Sequence, residues 1–164
     1  MMYYNELGQL HKVDGPAITR DDGYQEWYLN GQRHRTDGPA TIYPDGRLTW
    51  WLNGLRHRVG GPAVIWSNGH SWFQNDQLHR DDGPAVEWAD GHEEWFQHGQ
   101  LHRDDGPAVV WSNGVSMRWY YYDLLHRLDG PAVVRADGTQ EWWLHGKQVD
   151  ELTVWLSGGS KECV

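Results

Sequence analysis

The decapeptide QLHRDDGPAV occupies residues 77–86 and stands again, letter for letter, at residues 100–109. It is the best-preserved part of a longer period. Gly-Pro-Ala begins at Gly15, Gly38, Gly61, Gly83, Gly106 and Gly130, in steps of 22–24 residues. A histidine lies four positions before each glycine (His11, His34, His57, His79, His102, His126), and Lys12 or an arginine follows it. Seven positions after each glycine comes a turn pair, from Asp22-Gly23 to Asp137-Gly138, and then a tryptophan: Trp27, Trp50, Trp72, Trp95, Trp119 or Trp142. Self-similarity at such a period marks a stacked supersecondary unit that buries its apolar face only on its neighbours.

The spacings locate the elements. Trp-to-His, His-to-Gly and Gly-to-turn distances are constant, whereas turn-to-Trp is four residues after Asn68, six after Asn113 and five elsewhere. A one-residue slip inside a strand turns its side chains to the wrong face, so the variable residue belongs at the turn or in a bulge. Met117 or Arg118 is the expected bulge of the fifth repeat. Asp/Asn-Gly between runs rich in Val, Ile and Trp signals a hairpin. A second turn follows each Trp, as at Asn30-Gly31 or His98-Gly99, and Asp-Gly-Pro opens the next strand. If Asp90-Gly91 is a two-residue loop, Val86 opposes Trp95 and Trp88 opposes Glu93. One face then carries the six Trp together with a row of Tyr43, Trp66, Trp88 and Trp111, ending in Arg20 and Arg135. The other face carries Tyr28, Trp51, Phe73, Phe96, Tyr120 and Trp143. Tyr4, seven before His11, fills the Trp slot of a half repeat at residues 3–9.

Composition sets the limits on function. The 164 residues include 12 Trp and 8 Tyr beside 2 Phe, at net charge −9, and the mean hydropathy is −0.79 with a pI of about 5.5. Burial must then be aromatic and spread out, because disordered chains are poor in aromatics. The acidic balance disfavours a nucleic-acid polymer or an anionic membrane as partner. The single cysteine, Cys163, permits no internal disulfide. The opening MMYYNELGQL is not a secretory leader and no long apolar run occurs, so the chain reads as cytoplasmic.

The wording Gly-x-Ala, Asp-Gly, Glu-Trp-Trp and Asn-Gly-x-x-His resembles the MORN repeat over roughly residues 3–149. It is closest to its divergent bacterial and viral variants, with HRxDGPA where ordinary units carry His-Gly-x-Gly. The resemblance implies an all-β fold: an elongated, single-layer, twisted antiparallel sheet of stacked hairpins. It also implies a role as scaffold or protein-binding surface. Repeats begin near residues 10, 33, 56, 78, 101 and 125. Asp150 then reads as the N-cap of a short helix within residues 150–164. Leu152, Trp155 and Leu156 share one face of that helix, which is expected to cap the array, with GSKECV as a frayed tail.

The candidate chemistry is that of binding. Equivalent residues of neighbouring repeats lie roughly 10 Å apart, at about 4.8 Å per strand. The histidine column therefore cannot share a zinc ion, whose ligands sit about 2.0–2.3 Å from one centre. No metal or cofactor is expected. Glu26, Glu94 and Glu141 recur at repeat spacing, as a solvated face does. No nucleophile elbow, P-loop or HExxH motif is present, so the chain is expected not to be an enzyme. Trp27, Trp50, Trp72, Trp95, Trp119 and Trp142 are assigned to packing. Arg20, Tyr43, Trp66, Trp88, Trp111 and Arg135 are candidates for contact with a partner. In the HR-x-D column an aspartate can neutralise each arginine, except where Gly60 leaves His57-Arg58 without one. The expected function is a protein-binding scaffold or inhibitor, conceivably viral and acting on a host complex. The alternative is sequestration of a nucleotide or sugar on aromatic platforms. Homo-oligomers through faces or open sheet edges are compatible with either.

Overall fold

A computed structural model describes residues 1–158; Cys163 and the GSKECV tail beyond Gly158 lie outside the described residues. The chain is all-β and antiparallel apart from one C-terminal helix, and it divides into two bodies, Met1–Leu78 and the chain from His79 onward. In the first body the main strands run Ile18–Thr19, Gln25–Glu26, Thr41–Ile42, Leu48–Thr49, Val64–Trp66 and Gly69–Ser71, each paired antiparallel to the next. In the second they run Val86–Trp88, Glu93–Glu94, Val109–Val110, Met117–Arg118, Val133–Val134, Gln140–Leu144 and Lys147–Val149. Small two-stranded hairpins branch off between them, such as Tyr28–Leu29 with Gln32–Arg33 and Phe96–Gln97 with Gln100–Leu101.

Turn chemistry explains both kinds of hairpin. The branch hairpins turn at Asn30-Gly31, Asn53-Gly54, Asn75-Asp76, His98-Gly99, Tyr122-Asp123 and His145-Gly146. Both residues of every pair have positive φ, the two-residue type I′ turn that suits the right-handed strand twist. The main hairpins differ. Around Asp90-Gly91 the Trp88 N–H donates to the His92 carbonyl (2.9 Å) and the Gly91 N–H to the Trp88 carbonyl (3.0 Å), with Gly91 at φ +87°. That is a three-residue loop, a type I turn followed by a left-handed glycine. The turn pairs at Asp22, Asp45 and Asp137 close in the same way.

This extra loop residue overturns the expected faces. Val86 pairs with Glu94 and Glu87 with Glu93, so Trp95 faces away from Trp88. One shift of register moves every side chain of the return strand across the sheet. The Tyr28 row instead shares a face with the Tyr43 row. Glu141 accepts from the Trp143 indole (3.0 Å) and, at 2.5 Å, from Arg135, all on one side. The length variation is absorbed wholly in the loops. Trp66 pairs directly with Gly69 across two residues, whereas the Trp111 N–H reaches the Ser116 carbonyl across four. Met117 and Arg118 are regularly paired with Val110 and Val109, so neither is a bulge.

The same reading relocates the N-terminal aromatic. Tyr3, rather than Tyr4, takes the Trp position. Its N–H donates to the Ala17 carbonyl as Trp27 does to Ala40, and its carbonyl accepts from His11. A three-residue loop closed between Asn5 and Gln9 supplies the added residue.

The core is thin and built from small residues. Ala17, Ala40, Ala63, Ala85, Ala108 and Ala132 are each 0% exposed, joined by Ile18, Val86, Val109, Val133, Thr41, Thr49 and Ser71. The six Trp are half-buried. Each alanine carbonyl at 40, 63, 108 and 132 accepts the N–H of the preceding Trp at 2.7–2.9 Å, so backbone passes where a larger side chain would stand. The helix, α1 (Glu151–Gly158), begins under the Asp150 carboxylate, which accepts the Thr153 N–H at 2.7 Å. Its buried residue is Val154 (1% exposed), while Leu152 (66%), Trp155 (58%) and Leu156 (76%) face outward, the reverse of the expected face.

Two outcomes follow from this packing. Ala108→Leu overfills a fully enclosed site and should lower stability by about 1–3 kcal/mol in denaturant melts. Val154→Ser should reduce helical ellipticity and expose the Gln140–Leu144 strand to proteolysis, whereas Leu152→Ser should change neither.

Candidate functional site

The HR-x-D-G-P loops form a repeated clamp. In four of them an arginine lies over the tryptophan eight positions before it. Arg35 is 4.2 Å from the Trp27 ring centre, Arg58 3.9 Å from Trp50, Arg103 4.2 Å from Trp95 and Arg127 4.0 Å from Trp119. Lys12 does the same over Tyr3 at 3.8 Å. Such contacts favour a cation whose position is already fixed. The arginine Nη1 donates to the proline carbonyl four residues on, at 3.1–3.4 Å. Its Nε donates to the aspartate two residues on, at 2.7–2.9 Å for Asp37, Asp82, Asp105 and Asp129. These hydrogen bonds from the guanidinium hold the carboxyls of Asp37, Asp82 and Asp105 below the usual carboxylate range. The motif glycine leaves room for the guanidinium. A Cβ at Gly83 would stand 2.8 Å from the Arg80 guanidinium carbon, and at Gly106 2.9 Å from that of Arg103.

The histidine column has a structural task. The N–H of the first I′ turn residue of the same repeat donates to histidine Nδ1: Asn30 to His11, Asn53 to His34, Asn75 to His57, His98 to His79 and His145 to His126, at 3.1–3.3 Å. Accepting at Nδ1 leaves the ring proton on Nε2. His79 and His102 direct Nε2 at Asp81 (3.1 Å) and Asp104 (3.2 Å). Rings stack where the turn residue is aromatic or imidazole: His79 on His98 at 4.4 Å, His126 on His145 at 4.3 Å, His102 on Tyr122 at 4.0 Å. His102 Nδ1 is the exception, with no hydrogen-bond partner among the described residues.

Between successive loops lie open grooves. One of about 920 Å³ is lined by Arg103, Trp119, Tyr121, Arg127 and, from α1, Trp155. Another of about 670 Å³ is lined by Arg80, Trp95, His102 and Arg103, and a third of about 460 Å³ by Lys12, Trp27, His34 and Arg35. Sequence reasoning placed these tryptophans in packing alone. The aspartates at the rim were the available sign of a formed surface.

The candidate partner-contact row lies on the opposite face and is held by internal contacts. Arg20 lies 4.4 Å over Tyr24, Tyr24 meets Tyr43 edge-on at 5.5 Å, and Arg47 lies 3.7 Å over Tyr43. Burial and the adjacent Glu26 carboxylate push the Tyr24 hydroxyl well above its ordinary range. Glu26, 3% exposed, accepts from Arg33 at 2.7 Å. In the second body His92 sits edge-on between Trp88 (4.5 Å) and Trp111 (5.7 Å), and Arg118 lies 4.9 Å from Trp111. Trp66 is half-buried within its strand. Arg135 pairs with Glu141 and does not stand free at the row's end. His57 and Arg58 lie on the loop face, in a loop with no aspartate.

Among the described residues no group of three or more His, Cys, Asp or Glu is placed to hold a metal ion, and no helix is long and apolar enough to cross a membrane. Comparison of the chain with protein-family models and with curated proteins finds no match.

Burial and the neighbouring His145 lower the proton affinity of His126 from its ordinary value near 6.5. Below that pH the unfolded chain binds the proton first. The stabilising contribution is thus full above pH 6.5 and is lost as pH falls through the lower folded-state value. NMR titration should place the His126 midpoint below 6.5, and His126→Ala should lessen the fall in melting temperature between neutral and mildly acidic buffer.

Proposed function

We propose that this chain is a non-enzymatic, MORN-like repeat scaffold that binds another protein along its loop face, with α1 as the cap of the array. The observation that supports this reading most is the recurrence of one groove design. A half-exposed tryptophan, already overlaid by a clamped arginine and edged by aspartate, lines each groove. Tryptophan and arginine are the residue types that dominate interface energetics. Here their rotamers are fixed before a partner arrives, so less conformational entropy is lost on association. Repetition of the design suits an extended partner segment that meets the two grooves of the second body in turn. An inhibitor of a larger complex would use such a surface in the same way, and exposed sheet edges offer a route to homo-oligomers.

The second reading, a small-molecule binder, draws on the groove beside α1 alone. Trp119, Tyr121 and Trp155 could stack a sugar or base there. Against a phosphate, Arg103 and Arg127 already hold Asp105 and Asp129.

The test has two arms. Mass spectrometry of the denatured pure protein should release no stoichiometric nucleotide or sugar; its presence would favour the second reading. A partner recovered from the native host should bind Trp95→Ala and Trp119→Ala variants about 30-fold more weakly, the effect of about 2 kcal/mol typical of an aromatic anchor. Unchanged binding to both variants would remove the loop-face grooves from consideration.

A further inference from the structure

The third HR-x-D loop departs from its siblings at two adjacent positions. In the fourth and fifth loops every cation has its own carboxylate: His79 with Asp81, Arg80 with Asp82, His102 with Asp104 and Arg103 with Asp105. The second and sixth loops keep the arginine's partner, Asp37 and Asp129. In the third loop the two positions are Val59 and Gly60. That loop alone carries His and Arg with no acidic residue before its proline.

The cation is nonetheless held as in the other loops. Arg58 lies 3.9 Å from the Trp50 ring centre and donates Nη1 to the Pro62 carbonyl at 3.1 Å. His57 accepts the Asn75 N–H on Nδ1 at 3.3 Å, which leaves the Nε2 proton for donation. Above them the chain offers little cover. Val59 is 88% exposed, and a Cβ built at Gly60 meets nothing within 4 Å. Arg58 Nε is therefore an oriented donor at the atom that takes a carboxylate in four sibling loops.

The geometry points to the third loop as a receptor for an acidic segment of a partner protein, whose adjacent carboxylates take the seats that aspartates fill internally in the fourth and fifth loops. Guanidinium–carboxylate bonds are among the strongest hydrogen bonds a surface can offer. Side-chain entropy, a large part of the usual cost of a surface ion pair, is reduced because Trp50 and Pro62 already fix the arginine. Val59 adds an exposed apolar contact beside the charge. This inference rests on the protein-binding reading above only for the nature of the partner; the carboxylate site itself can be tested separately.

The probe is the peptide acetyl-Gly-Asp-Asp-Gly-amide, with its Asn-Asn counterpart as control. Binding is followed on the arginine Nε–Hε resonances of the full chain. The Arg58 resonance should shift saturably with the acidic peptide only, while those of Arg35, Arg80, Arg103 and Arg127 stay in place. The double substitution Val59→Asp with Gly60→Asp makes residues 57–62 read as residues 79–84 do, and should abolish the shift. Arg58→Gln should weaken peptide binding at least tenfold, as read from backbone amide shifts around Val59, and serves as the second variant should the double one fold poorly. No saturable shift at Arg58, an equal shift at all five arginines, or full binding by both variants would overturn the inference. A partner protein that binds the double variant normally and the groove variants weakly would overturn the acidic-segment site and leave the groove reading intact.

Discussion

A guanidinium laid over an indole is the contact around which the loops of Arg35, Arg58, Arg103 and Arg127 are organised. Once Arg103 lies on Trp95, its Nε meets Asp105, its Nη1 meets the Pro107 carbonyl, and the glycine under it leaves the guanidinium room. Four letters of the repeated motif thus answer to one side chain. The loop so fixed delivers the following strand, and its buried alanine accepts the tryptophan N–H at 2.7 Å. An exposed Arg–Asp pair by itself would contribute little. Here it sits on an aromatic plate and closes a backbone loop, so its value is in geometry more than in attraction.

Histidine ties the start of each repeat to the I′ turn near its end. Its Nδ1 takes the first amide of the type I′ turn 18 or 19 residues downstream, and the second turn amide donates to the carbonyl just before the histidine, as Gly31 does to Leu10 at 2.8 Å. Asp76 and Asp123, which stand where other turns carry glycine, also reach backwards. Asp76 pairs with Arg56, and Asp123 accepts the Leu101 N–H at 2.7 Å. Each repeat is thus tied end to end by polar contacts, in a chain with few aliphatic residues.

Much of this was legible in the letters and some was not. Period, turn positions and the pairing of each arginine with its aspartate are written at fixed, short spacing. The distribution of aromatics over the two faces was not readable, because it hangs on whether Asp-Gly closes a loop of two residues or three, and Ala89 carries no mark of its loop position. The same ambiguity exchanged Tyr3 for Tyr4. In α1 the apolar spacing of Leu152, Trp155 and Leu156 suggested a buried stripe, yet the strand it meets admits only Val154. The stacking of arginine on tryptophan was hidden because the two lie eight residues apart across a hairpin. The arginine at position 58 without a loop aspartate was visible at once, because the absence of an acid two residues on requires no folding to see.

The main hairpin tips close over two residues after Trp66, three after Trp88 and four after Trp111, while the strands beneath keep their register. Those tips therefore act as length buffers. Insertions and deletions there need not propagate into the sheet, whereas the clamped loops at the Gly-Pro-Ala end leave no slack for them. Change during evolution, and foreign sequence grafted by design, has its least disruptive entry point at one end of the repeat and its most disruptive at the other.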